Sequence, residues 1–227
     1  VNAMPEPYYA DDRVTLYHGD ARDVLPALRG DVVLTDFPYG IGVEYGLYSD
    51  SADNLDRLIA DTLPLMRDAA PVVALTCGVT NWWRFPEPTW TLAWYQTNAL
   101  RARARWGWSM WQPILCYGVD PYLRRGLGAR PDVIATASSM EGAHGDGTHV
   151  RTQHPCPKPY DSWRKIMLRV SPDEHDLIID PFVGSGTTLV CAKYSGRRAI
   201  GIELEERYCE LAANRCAQEV LDLAAAS

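Results

Sequence analysis

The feature that most restricts the fold is a turn near residue 180. A continuous apolar run, Leu177-Ile178-Ile179, ends in Asp180-Pro181-Phe182-Val183-Gly184-Ser185-Gly186-Thr187-Thr188, and helical patterning follows to Tyr194. A strand without alternation is buried on both faces, as in a parallel sheet covered by helices. The same grammar recurs along the chain. Strands are expected at Val14 to Tyr17, Asp31 to Asp36, Val72 to Thr76, Asp176 to Asp180 and Arg198 to Glu203. Helices are expected at Ala21 to Leu28, Leu55 to Met66, Tyr160 to Val170, Gly186 to Tyr194 and Glu205 to about Leu223. This alternation implies an α/β fold with a doubly wound, mostly parallel sheet. One domain spanning 1–227 is expected, with residues 78–150 as an inserted variable region. There, Ile114 to Tyr117 and Val133 to Ala137 read as strands, and Ser138 to Val150 reads as a loop. Seven tryptophans crowd between Trp82 and Trp111 and are read mostly as core or interface.

The turn itself narrows the chemistry. Its glycines let backbone approach a ligand, and the helix start behind them offers free N–H groups. Seventeen residues after Gly186, Glu203 ends the next strand, where a carboxylate can accept hydrogen bonds from both hydroxyls of a ribose. A phosphate-binding P-loop would need Lys where Thr187 stands, and a nucleophile elbow would need Gly-x-Ser-x-Gly. A dinucleotide fingerprint would need a third glycine where Leu189 stands. What remains is a nucleoside-bearing cofactor, against the alternative of a tight turn with no ligand.

A second turn, Thr35-Asp36-Phe37-Pro38-Tyr39-Gly40, closes another buried strand. Ligands of open α/β sheets bind at such carboxyl ends. Pro38 biases Phe37 away from the helical region, but Phe37 lacks the fixed φ of a proline.

These segments together resemble the amino-methylating DNA methyltransferases. The Asp180 to Thr188 turn with Gly201-Ile202-Glu203-Leu204 resembles that family's S-adenosylmethionine motif. His154-Pro155-Cys156-Pro157-Lys158-Pro159 resembles its His-Pro-Thr-x-Lys-Pro segment, with Cys156 and Pro157 as departures. Tyr17-His18-Gly19-Asp20-Ala21 resembles the turn that meets the cofactor adenine, and Asp36-Phe37-Pro38-Tyr39 resembles the Asp-Pro-Pro-Tyr catalytic motif. Trp111 to Gly118 resembles a late family strand, usually with Glu where Gln112 stands. The catalytic motif precedes the cofactor motif, as in the permuted group called beta.

The resemblance implies a seven-stranded-type methyltransferase sheet and S-adenosyl-L-methionine as cofactor. It implies transfer to an exocyclic base amino group with base flipping, at N6 of adenine because Asp opens the motif, or alternatively at N4 of cytosine. Catalytic residues would be Asp36, Phe37, Pro38 and Tyr39. Cofactor-binding residues would be Asp20, Ala21, Asp36, His154, Lys158, Asp180, Phe182, Gly184, Ser185, Gly186, Thr187, Thr188 and Glu203. A catalytically weak DNA-recognition protein, and a methyltransferase of RNA or small molecules, stay open beside it.

Net charge is −7, yet residues 101–169 hold 11 basic against 5 acidic side chains. Arg101, Arg103 and Arg105 alternate, so an extended segment would point all three to one side, toward double-stranded DNA or simply solvent. The six cysteines lack Cys-x-x-Cys spacing, and His144, Asp146 and His149 lack a fourth ligand, so no metal is expected. No apolar run is long enough to span a bilayer, and a reduced cytoplasmic protein is expected. The short recognition region and the resemblance suggest a homodimer. A cognate restriction endonuclease is compatible with the resemblance, and no residue here identifies one.

Overall fold

The computed structural model describes residues 4–43, 45–97, 103–104, 106–137 and 158–218. The chain opens with β1 (Tyr9–Ala10) and β2 (Val14–His18), then α1 (Ala21–Val24), a 3-10 turn (Leu25–Ala27) and β3 (Val32–Asp36). Helix α2 (Ala52–Ala69) leads to β4 (Val72–Thr76). The middle supplies β5 (Trp90–Gln96), the paired β6 (Arg103–Ala104) and β7 (Gly107–Trp108), β8 (Trp111–Gly118), α3 (Pro121–Arg124) and β9 (Val133–Thr136). Last come α4 (Tyr160–Val170), β10 (Leu177–Asp180), α5 (Thr187–Tyr194), β11 (Arg198–Glu203) and α6 (Glu206–Ala217).

Nine strands form one sheet, ordered β1-β2-β11-β10-β3-β4-β8-β5-β9. From β2 to β4 every neighbour is parallel. The sheet is nonetheless mixed, and wider than the seven-stranded expectation. Strand β8 runs antiparallel to both β4 and β5, and β1 antiparallel to β2. Strands joined without a helical crossover return in the opposite sense. Three sheet strands, β5, β8 and β9, come from residues 78–150.

Apolar side chains feed two cores, one on each face. Val32 and Leu34 pack with Trp163, Ile166, Leu189 and Cys209, whereas Val33 packs with Leu55, Leu63 and Met66. Successive strand residues point to opposite faces, so a strand covered on both sides must be apolar throughout. Helix α2 starts where Ser51 Oγ accepts from Asn54 N at 3.2 Å. Its Leu55, Ile59, Leu63 and Met66 recur every three or four residues, forming the stripe it buries. Each such side chain contributes roughly 1.5–3 kcal/mol.

Among the clustered tryptophans, Trp94 is core, with its ring N–H donating to Thr136 Oγ1 at 2.8 Å. Trp82, Trp83, Trp90, Trp106, Trp108 and Trp111 are exposed, so of the core-or-interface reading only Trp94 falls to the core of this chain. Among the described residues no helix is long and apolar enough to cross a membrane.

The sheet order positions the site. From β10 the chain passes through α5 to β11 on one side; from the adjacent β3 it passes through α2 to β4 on the other. Neighbouring strands that lead away in opposite directions leave a crevice at their carboxyl ends.

Candidate active site

A cavity of about 450 Å³ fills that crevice. Its wall is built from the turns after β2, β3, β10 and β11, with Lys158, part of α2 and residues 45–49 closing the sides.

Asp180 organises the turn after β10. It is buried, and its Oδ1 accepts from Thr35 Oγ1 at 2.6 Å and from Phe182 N at 3.1 Å. Its Oδ2 accepts from Thr188 Oγ1, which in turn accepts from Trp163 Nε1 at 2.8 Å. Burial pushes Asp180 up to about 6, tempered by these donors. Gly186 enters α5 at φ +83°, and a Cβ there would lie 2.8 Å from Ala212 Cβ. Ser185 is tied down from behind, its carbonyl accepting from Arg215 Nη1 at 2.6 Å.

Glu203 faces this turn. Its Oε2 accepts from Gly184 N and its Oε1 from Glu205 N, both at 2.9 Å. Burial raises it to about 7 against those two donors. Asp20 caps α1 by accepting from Arg22 N at 2.9 Å and pairs with Arg22 Nη2 at 2.5 Å. The Arg22 hydrogen bond holds its carboxyl below the usual range.

Asp36 stands across the cavity. Its Oδ2 lies 2.6 Å from Lys158 Nζ, and its Oδ1 accepts from Thr76 Oγ1. The Tyr39 hydroxyl is 2.9 Å from Asp36 Oδ1, 2.8 Å from Gln112 Oε1 and 3.1 Å from Lys158 Nζ. Burial works to lower Lys158, but Asp36 and Tyr39 outweigh it and keep the ammonium charged. Burial and the Asp36 charge raise Tyr39, so its proton stays on. The turn is fixed from outside by Asn81 Nδ2, which donates to Tyr39 O at 2.7 Å. Gly78, at φ +66°, gives room for the ring, since a Cβ there would sit 2.8 Å from Tyr39 Cδ2.

Phe37 is 1% exposed and makes edge-to-face contacts with Phe85 and Phe182, at centroid distances of 5.2 and 5.0 Å. Its N–H donates to Thr76 O at 2.9 Å, a bond no proline could make. The fixed φ of a proline is thus replaced by packing and a ladder hydrogen bond.

Of the expected site residues, Asp20, Ala21, Asp36, Pro38, Lys158, Asp180, Phe182, Gly184, Ser185, Thr187, Thr188 and Glu203 line the cavity. Gly186, Phe37 and Tyr39 are not among the lining residues, although Tyr39 is only partly buried and its hydroxyl adjoins Asp36, which is. Lys158, expected with the cofactor, pairs with the carboxylate of the other turn. Arg103 lies in β6 opposite Trp108. Arg101, Arg105, His144, Asp146, His149 and His154 lie outside the described residues. Sequence reading missed Thr35, Thr76, Gln112, Asn81 and Arg215. Polar residues at the ends of apolar strands were a usable signal for Thr35, Thr76 and Gln112. It also missed two carboxylates that pin the lateral loop: Asp50 accepts from Gly40 N at 2.7 Å, and Glu205 accepts from Leu47 N.

The wall suits a cationic nucleoside. Glu203 is a buried acid beside a glycine-walled turn, and Asp36 and Asp180 add negative charge nearby. Comparison with known proteins gives the same direction. A family model described as DNA methylase matches residues 135–214. The type II methyltransferase M.ScaI of Streptomyces caespitosus is 26% identical, over 97% of this chain and 87% of that protein. The DNA adenine methyltransferase YhdJ of Escherichia coli K12 is 25% identical, over 91% and 84%. The solved PvuII DNA methyltransferase (cytosine-N4-specific) superposes with a TM-score of 0.68, at 16% identity, covering 95% of this chain and 90% of that one; this likeness shows the fold. Solved structures of the same fold include S-adenosylmethionine complexes.

Proposed function

We propose that the chain is an amino-methylating DNA methyltransferase that uses S-adenosylmethionine, and that it methylates N6 of an adenine turned out of duplex DNA. The observation that carries this reading is that Glu203, the Gly184 turn and Asp36 line one and the same cavity.

When bound, the cofactor supplies a methyl group already activated on a sulfonium. Glu203 would hold the ribose hydroxyls, with the lone pairs that Gly184 N and Glu205 N leave free. The Asp180 turn would bring backbone N–H groups to the cofactor, and Asp20 and Ala21 would border its adenine. Asp36 would accept one proton of the target amine and the Phe37 carbonyl the other. An amine so held turns its lone pair toward the methyl, and alignment of this kind accounts for much of a transfer rate. Once the nitrogen carries the methyl, its surplus proton has the Asp36 carboxylate beside it. Tyr39 supports the base while its hydroxyl braces Asp36.

Adenine is preferred because Asp opens the catalytic turn, with the N4-cytosine reaction as the alternative. Recognition falls to the exposed Trp106 and Trp108 and the basic stretch 101–169, and the partner is double-stranded DNA. A homodimer and a cognate endonuclease are compatible with this reading and are not required by it.

Labelled S-adenosylmethionine and plasmid DNA, followed by nucleoside analysis, test the proposal. N6-methyladenosine is expected; N4-methylcytosine selects the alternative, and label on neither base sinks both. Asp36→Ala should reduce the rate at least about 100-fold while cofactor binding holds, given the cost of a lost alignment group. Full activity in that variant would remove Asp36 from its role.

A further inference from the structure

The partners of Asp36 can be counted. A carboxylate offers about four lone-pair positions. Oδ1 accepts from Thr76 Oγ1 and lies 2.9 Å from the Tyr39 hydroxyl, and Oδ2 lies 2.6 Å from Lys158 Nζ. Three positions are filled, and one on Oδ2 remains.

The filling is directional. The Tyr39 hydroxyl has one proton for two acceptors in reach, Asp36 Oδ1 and Gln112 Oε1. Oxygen and nitrogen of a glutamine amide exchange places on a half-turn. With Nε2 toward Tyr39, the hydroxyl accepts from Gln112 and from Lys158, and donates to Asp36. Every group then has a partner. Lys158 suits its place because an ammonium has donors only and cannot compete for the protons of an amine. Its side chain is 13% exposed, so the charge is held against Asp36 and away from solvent.

We propose that Lys158 and Thr76 are positioning residues for methyl transfer, filling the other acceptor positions of Asp36 so that one lone pair on Oδ2 faces the incoming amine. This rests on the reading of Asp36 as the amine acceptor. It gives Lys158 a place in the receiving half of the site instead of the cofactor half, and it gives Thr76, at the end of the neighbouring strand, a role through Asp36 alone. Neither residue forms a bond to the methyl group. Both act by restricting the rotation of the carboxylate, and a misplacement near 1 Å costs about 100-fold in rate.

The test uses purified full-length protein, labelled S-adenosylmethionine and plasmid DNA, with single-turnover rates at saturating cofactor. Lys158→Gln should slow transfer by about 100-fold, and Lys158→Arg should recover part of that loss. Cofactor affinity, measured by equilibrium dialysis, should stay within about twofold of wild type. Thr76→Val, which keeps the side chain's shape but removes its hydroxyl, should slow transfer by about 10-fold with cofactor affinity held, and it decides the matter even if Lys158→Gln fails to fold. Weaker cofactor binding in Lys158→Gln with an unchanged saturated rate would return Lys158 to the cofactor and overturn the proposal. Full activity in Thr76→Val would overturn it too. An active wild type with unimpaired variants sinks this proposal alone; a wild type that methylates no DNA takes down the amine-acceptor reading and this with it.

Discussion

Glu203 accepts two backbone amides while lining the cavity, so its proton links folding to ligand binding. Burial raises it from the ordinary 4.5 to about 7. The folded protein therefore holds a proton that the unfolded chain gives up. The stability this contributes is whole below pH 4.5 and is lost as pH rises through about 7, a change of roughly 3 kcal/mol. Asp180, raised to about 6, acts in the same direction. The melting temperature of the cofactor-free protein should fall between pH 5 and pH 8, and Glu203→Gln should flatten the slope. Ribose hydroxyls donate to the ionised form, so S-adenosylmethionine should bind more tightly as pH rises through about 7. Calorimetric titrations at pH 6 and pH 8 check this, and an affinity that falls with pH would remove Glu203 from the ribose.

Phe37 argues at the same scale. Its ring fills space between Phe85 and Phe182, and its N–H serves the sheet. Phe37→Ala should cost about 3–5 kcal/mol of stability by urea denaturation. Phe37→Pro, which restores the commoner motif, should also destabilise the protein, because it deletes both ring and donor. A stable, faster Phe37→Pro enzyme would show that the phenylalanine is a defect and not an adaptation.

Elements differ in how clearly they announce themselves. Strands β3, β4 and β10 carry apolar runs without alternation, so their place between two helical layers was legible from the sequence pattern. Strand β5 was not: Trp90, Trp94 and Tyr95 lie among other aromatics, and their alternation emerges only once β8 and β9 flank them. Helix α2 runs longer than its apolar stripe, since Ser51 sets its start and Ala70 its end. The turn into α5 was legible, because glycine spacing reports backbone geometry directly. Gly186→Ala should test that geometry: a positive φ and a contact 2.8 Å from Ala212 press α5 against α6. A loss of roughly 1–3 kcal/mol is expected, with weakened cofactor binding by equilibrium dialysis. Unchanged binding would mean that the turn tolerates a shift of the helix.

Across the whole molecule, the two halves of the site are distant in sequence and adjacent in the sheet. Asp36 and Glu203 could be named because each sits at a strand end with a distinctive neighbour. Thr76 and Gln112 stood out as polar residues near the ends of apolar strands, but their contacts were not legible, since these come from pairings that only the strand order creates. Lys158 was recognised, but its pairing with Asp36 was not legible, because resemblance gives a residue's company and not the atom it touches. Net charge, −7, also says little, for what governs DNA approach is where the basic residues gather.

Strands β10 and β3 are bound by two register pairs, and the Thr35 hydroxyl ties one strand end to Asp180 on the other. The Asp36 turn and the Asp180 turn are thus mounted on a common beam, and the span between them is set by the ladder that joins their strands. The outer strands β5, β8 and β9 lie beyond β4 and pair with neither β3 nor β10, so a change in them leaves that span alone.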